Sequence, residues 1–241
     1  MKEILRQIDA NPNIDAINEF NSSTKLRLIV KKDVRPCFFT GNIEQTGKIV
    51  TISLNPKYTP EETEREQHGK NFDEWYNFCI ERFIQYKSPK DVHNIFKNLR
   101  KIVVPMQEWK QGDPRLDLQR DLINLDWCPY YAEKFQTFQS NQLPASLQSW
   151  IETVWEHTLN QLLRISSPRC IFVHGKSIEG WVRDHSSNLI SIDYVENSYR
   201  QKCQLWEGTL NGIRILYLEH FINVVNRMDT LDQIGKILRA A

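Results

Sequence analysis

The sequence predicts an α/β fold on three observations. Strand and helix signals alternate once the N-terminal segment is past, three short apolar runs end in a polar residue and a turn, and no Gly/Ser- or Pro-rich linker divides the chain. At 241 residues the chain lies between one and two domains of about 150 residues each, and without a linker a single domain over 1–241 is expected. With 40% hydrophobic and 25% charged residues the composition is globular, which excludes a disordered or low-complexity chain. Thirty-one Lys and Arg against thirty Asp and Glu leave a net charge of +1, so no whole-molecule attraction to nucleic acid or acidic lipid is written in the totals. A local basic patch remains open.

The elements follow in order. MKEILRQIDANPNIDAINEF places apolar residues at helical spacing. Lys48 to Leu54 is a β-branched run that stops at Asn55-Pro56 and predicts a buried strand delivering a loop. Thr59-Pro60-Glu61-Glu62 has the cap, proline and acids of a short helix start. A helix is expected from about Phe72 to Gln85, and another from Ser88-Pro89 carrying Val92, Ile95, Phe96, Leu99 and Ile102. Gln107 to Gln119, with Gly112, Asp113 and Pro114, reads as an irregular connection leading to a strand over Asp121 to Trp127. A long helix is predicted from about Ala145 to Ile165, ended by Ser166-Ser167-Pro168, and Cys170 to His174 is a third strand. A helix through Trp181 follows Gly175-Lys176-Ser177. Asn211-Gly212 predicts a hairpin between Cys203–Trp206 and Ile213–Tyr217, and Asp229 opens a terminal helix ending near Arg239.

Five cysteines, more than thirty residues apart and without a CxxC pair, fit free thiols in a reducing compartment and argue against a zinc ribbon or an iron–sulfur cluster. No run approaches eighteen apolar residues, and the start lacks the pattern of a signal peptide, so a soluble cytoplasmic protein is expected. No G-x-G-x-x-G or Walker lysine is present. Ligands of an open α/β sheet bind beyond the carboxyl ends of its strands, where Asn55, Asp126 with Asn124, and His220 are delivered. Asn124 and Asp126, two residues apart, share one face of an extended strand.

These residues belong to a larger pattern. Ser53-Leu54-Asn55-Pro56 at a strand end, Asp126-Trp127-Cys128-Pro129 after the next strand, Pro168-Arg169-Cys170-Ile171-Phe172-Val173-His174-Gly175-Lys176-Ser177, and Leu218-Glu219-His220 before the last helix resemble the uracil-DNA glycosylase superfamily in order and spacing, over about Lys48 to Asn223. The resemblance implies a three-layer α/β/α sandwich with a mostly parallel central sheet, and hydrolysis of the N-glycosidic bond of a damaged or modified, uracil-like base in DNA, as in base excision repair, without metal or cofactor. Asn55 then orients water against an oxocarbenium-like centre and His220 stabilises charge on the departing base. Asp126 stands where the family's Asn-x-Cys-Pro branches place a base-reading amide. A carboxylate only accepts hydrogen bonds unless protonated, so either Asn124 supplies the donor or the base presents an exocyclic amine. Tyr58, Phe72 and Trp75 are candidates to stack on an extruded base, and Lys57, Lys176, Ser177 and Asn223 are the expected nucleic-acid contacts. Two departures stand out. Phe221-Ile222 replaces a Pro-Ser pair whose serine meets DNA phosphate, and Ser53 and Lys57 replace glycines of the first motif.

Other readings compete with these. Asn55 before a proline is a good turn residue, Asp126 suits the Cys128-Pro129 turn as an acceptor, and His174 reads first as structural, yet it ends a strand that points into the same cleft. Cys128 with His174 or His220 forms a possible thiol–imidazole pair. At the level of the whole protein, a catalytically inactive nucleotide- or nucleic-acid-binding protein of the same fold, and a hydrolase of free nucleosides or nucleotides, are the alternatives to a DNA glycosylase.

Overall fold

The computed structural model of the chain describes residues 1–23, 27–29, 34–54, 63, 66–132, 144–196, 202–219, 221 and 228–240. Its strands, in chain order, are β1 (Leu28–Ile29), β2 (Phe39–Thr40), β3 (Ile49–Ser53), β4 (Leu122–Asp126), β5 (Tyr131–Ala132), β6 (Cys170–His174), β7 (Ser187–Glu196), β8 (Lys202–Leu210) and β9 (Ile213–Leu218). The helices are α1 (Lys2–Ala10), α2 (Ile14–Ser23), α3 (Phe72–Gln85), α4 (Asn94–Val103), α5 (Met106–Trp109), α6 (Pro114–Asp121), α7 (Ala145–Trp150), α8 (Glu156–Ser166), α9 (Glu179–His185) and α10 (Met228–Arg239).

Among the described residues seven strands form one mixed sheet in the order β2-β4-β3-β6-β9-β8-β7, and β1 pairs with β5 apart from it. The middle of the sheet, β4-β3-β6-β9, is parallel, while β2, β8 and β7 join antiparallel. The parallel strands are covered on both sides, which is why they read as near-continuous apolar runs. On one face Val50, Ile52, Ile123, Leu125, Ile171 and Val173 pack with Leu5 of α1, Phe20 of α2 and Leu159 and Leu162 of α8. On the other, Ile49, Leu122, Cys170 and Phe172 pack with Leu99 and Ile102 of α4 and Leu231 and Ile234 of α10. Helices therefore lie on both sides of the sheet, as a three-layer sandwich requires.

Local chemistry explains the element ends. Asn71 caps α3 through a capping box with Glu74, so this helix begins at Phe72 as expected. Asn211 and Gly212 both take positive φ, 53° and 78°, the pairing of a type I′ hairpin turn between β8 and β9. Elsewhere the reading needs correction. The helix expected from Ser88 splits into a 3-10 turn at Pro89–Asp91, closed by Asp91 on the Ser88 backbone N–H, and α4. Gln107–Gln119 is no irregular connection, because Asp113 caps α6 from its side chain with Pro114 at the first helical position. The long helix over Ala145–Ile165 contains a π-helical stretch at Ile151–Trp155, and Val154, expected on its apolar side, is exposed. The helix start at Thr59–Glu62 lies outside the described residues.

One buried ion pair locks α4 to α6 in front of β4. Arg100 Nε donates to Asp117 Oδ2 at 2.7 Å, and its Nη2 also donates to the Gly112 carbonyl oxygen at 2.8 Å. A Cβ at Gly112 would sit 2.8 Å from Asp117 Oδ2, so this corner of the loop accepts only glycine without a shift. Both charges are buried, so removing one leaves the other uncompensated. Asp117→Ala is expected to lower unfolding free energy by about 3 kcal/mol or more in urea titration.

Candidate functional site at the carboxyl edge of the sheet

The parallel strand order creates a crevice. The chain leaving β3 crosses to β4 on one side and the chain leaving β6 crosses to β9 on the other, so the carboxyl ends of β3 and β6 flank a topological switch point. Side chains at matched register share a face, and on the α4/α10 face they change character toward this edge. Ile49 gives way to Thr51 and Ser53, Leu122 to Asn124 and Asp126, and Cys170 to Phe172 and His174. The opposite face stays apolar to the end with Ile52, Leu125 and Val173. Alternation within each strand and in-register pairing between strands thus collect the polar groups at one place.

Asp126 is the centre of this cluster. Ser53 Oγ donates to Asp126 Oδ1 at 2.8 Å, and Thr51 Oγ1 donates to Asn124 Oδ1 at 2.9 Å. Ser53 Oγ also lies 3.3 Å from Asn124 Oδ1, so its single proton has two acceptors within reach. Beyond the strand ends the pairing continues, with the backbone N–H of Trp127 donating to the Ser53 carbonyl and that of Cys128 to the Leu54 carbonyl, each at 2.7 Å. Asp126 is only 3% exposed, and this burial raises its pKa to about 7. Hydrogen bonds from Ser53, Asn124 and Cys37 and the charge of Arg82 pull the other way without offsetting desolvation. Arg82 is itself engaged by Glu66 at 2.9 Å. Near neutral pH the Asp126 carboxyl therefore exchanges between an acceptor-only form and one that also donates.

His174 ends β6 beside Ser53, one step beyond the Ile52–Val173 register pair. Its ring lies between Phe172, at 5.7 Å, and Phe221, at 5.0 Å between centroids. Burial lowers its pKa to about 4, so the imidazole is neutral at physiological pH. The buried Nε2 has no hydrogen-bond partner among the described residues. Gly175 follows with φ 116°, a backbone conformation that L side chains rarely adopt, and none of the described residues lies within 4 Å of the position its Cβ would take.

The structure brings some of the expected site residues together and separates others. Asn124 and Asp126 share one face of β4, as their spacing implies. Lys176, exposed, and Ser177, buried, follow β6 in a 3-10 turn over Lys176–Ile178 at the same edge. Phe72 opens α3 within the apolar cluster of the opposite face, against Tyr76 and beneath the Arg6 guanidinium, and Trp75 stacks on Phe78 at 5.3 Å. Asn55, Lys57, Tyr58, His220 and Asn223 lie outside the described residues. Cys128 is fully buried in that same cluster, and burial pushes its thiol up to about 12, which speaks against a thiolate nucleophile. All five cysteines are free and buried. Ser53 and Thr51 are the additions the structure makes, and the period-2 polar residues of KIVTISL were the available signal for them; His174 stands at the edge to which its strand is expected to deliver it.

No family model matches the chain, and no curated protein matches it. Among the described residues no three His, Cys, Asp or Glu side chains are grouped as a metal would need, and no helix is long and apolar enough to cross a membrane.

A raised carboxyl pKa is also a stability statement. The folded chain holds the Asp126 proton between the unfolded pKa near 4 and the folded value of about 7, so its ionisation destabilises the fold progressively as pH rises through that window. Asp126→Asn keeps an acceptor for Ser53 without the charge. Its stability gain over the parent chain is expected to grow by about 2 kcal/mol between pH 5 and pH 8 in chemical denaturation.

Proposed function

We propose that this protein is a uracil-DNA-glycosylase-like hydrolase of the N-glycosidic bond of a modified, uracil-like base in DNA. The observation that carries the reading is Asp126, a buried carboxyl titrating near pH 7 at the carboxyl edge of a parallel sheet, beside the switch-point crevice. Protonated, it offers one donor and one acceptor side by side, the same pair that a carboxamide presents. That pair complements the adjacent ring N–H and oxo group of uracil or hypoxanthine, so the exchange of amide for acid at this position is compatible with a lactam edge. Ser53 Oγ donates to one carboxyl oxygen, and Asn124 and Cys37 also hydrogen-bond the group, so a base competes with these partners for the carboxyl.

In this reading Asn55, two residues beyond the end of β3, orients the attacking water, and His220, two residues beyond β9, stabilises charge on the leaving base. Lys57, Lys176, Ser177 and Asn223 meet the nucleic acid and Tyr58 stacks on the base, since Phe72 is packed in the apolar cluster of the opposite face. A second reading, cleavage of the same bond in a free nucleoside or nucleotide, is favoured by the balance of thirty-one basic against thirty acidic residues, since a small ligand needs no basic groove.

The test is base release from single- and double-stranded oligonucleotides carrying uracil, hypoxanthine, xanthine, or alkylated or oxidised bases, with Asn55→Ala and His220→Ala as controls. Release abolished by both substitutions is expected, and no release from any lesion at enzyme excess overturns the DNA-glycosylase reading. For uracil or hypoxanthine, kcat/KM is expected to fall about tenfold per unit above pH 7 as Asp126 ionises, and Asp126→Asn is expected to flatten that limb. Release from free deoxynucleosides alone, insensitive to salt, selects the second reading.

A further inference from the structure

We propose that His174 is a second polar contact to the base, an imidazole that donates from Nε2 to an exocyclic oxo oxygen on the side of the crevice opposite Asp126. The inference rests on the glycosidic reading above and extends it to a residue that the motif resemblance assigns to scaffolding. Three features of the structure carry it. His174 is 7% exposed and its Nε2 has no partner among the described residues, whereas buried polar atoms of native proteins are nearly always paired. It stands on the same sheet face as Ser53 and Asp126, at the carboxyl end of β6, where β3 and β6 flank the crevice. The chain then turns through Gly175 at a positive φ, with none of the described residues within 4 Å of where its Cβ would lie.

Asp126 and His174 lie on strands two apart, on the same face, with Ser53 on the strand between them, so a planar base lying over Ser53 has one of the two groups on either side. The packing of the imidazole between Phe172 and Phe221 sets its role. Burial disfavours the imidazolium, and no charged side chain contributes to the shift, so the ring acts as a neutral donor and not as a fixed cation. A neutral donor placed where negative charge develops on the departing base stabilises the transition state more than the ground state. The ligand it fits is a base with an oxo group on each side of the ring, a pyrimidine-2,4-dione or a 2,6-dioxopurine.

His174→Phe and His174→Gln test the assignment with uracil- and xanthine-containing single-stranded oligonucleotides. Phenylalanine suits the Phe172–Phe221 surroundings and removes an unpaired buried nitrogen, so the expected result is a raised Tm together with a roughly hundredfold loss of base release. Glutamine places an N–H near the same point and is expected to keep release within about tenfold of the parent chain. A histidine that merely fills the core would give no such rescue. Equal release by the parent chain and His174→Phe overturns the role of His174 and leaves the glycosidic reading standing, whereas absence of release by the parent chain overturns both. Independently of any variant, the 15N resonance of His174 Nε2 in the parent protein is expected to move when a uracil-containing oligonucleotide binds; binding without that shift also overturns the inference.

Discussion

In-register parallel pairing of β3 with β4 on one side and β6 on the other underlies everything else in the structure. It sets Ser53 opposite Asp126 and Ile52 opposite Val173, and so brings polar groups from three distant parts of the chain to one edge. A slip of one residue in either pairing would turn Ser53 or His174 to the other face, among Ile52, Leu125 and Val173. The register is held by apolar residues that alternate with the polar ones, because Val50 and Ile52 are fully buried and have no alternative packing. The core that stabilises the fold therefore also aligns the site.

That alignment comes at an energetic cost. A carboxyl at 3% exposure without a tight counter-charge and an imidazole nitrogen without a described partner are both unfavourable relative to apolar residues of similar size. Arg100 and Asp117, by contrast, satisfy each other at 2.7 Å. Other buried polar atoms without a described partner, such as the Arg82 Nε and the indole nitrogens of Trp155 and Trp181, lie elsewhere in the fold. What distinguishes Asp126 and His174 is that both stand on one face at the carboxyl edge of the parallel strands, where ligands of such sheets bind.

Much of the fold was legible because its determinants are local. The helix from Phe72 to Gln85, the Asn211-Gly212 turn and the apolar runs of β3, β4 and β6 each rest on patterns spanning a few residues to a few turns, and each appears where the sequence indicates. The misread segments have a common origin. Gln107–Gln119 looks polar and broken, yet Asp113-Pro114 starts a helix there and Arg100, fourteen residues away from Pro114, anchors it through Asp117. The Ser88 helix breaks because Asp91 closes a turn back on Ser88. The two-residue strands β1, β2 and β5 carry no period at all and exist only through their partners.

The candidate site divides in the same way. Sequence by itself determined that Asn124 and Asp126 share a face and end a buried strand, since a period of two is a property of one extended segment. It also determined the free, scattered cysteines and the near-balanced charge. Only the tertiary structure decided that Ser53 meets Asp126, that His174 lies between two phenylalanine rings, and that Cys128 is buried in the apolar cluster. The protonation of Asp126 and His174 belongs to the same category. A pKa depends on how much water the rest of the chain excludes, and that exclusion is created by helices far away in sequence, so no local pattern encodes it.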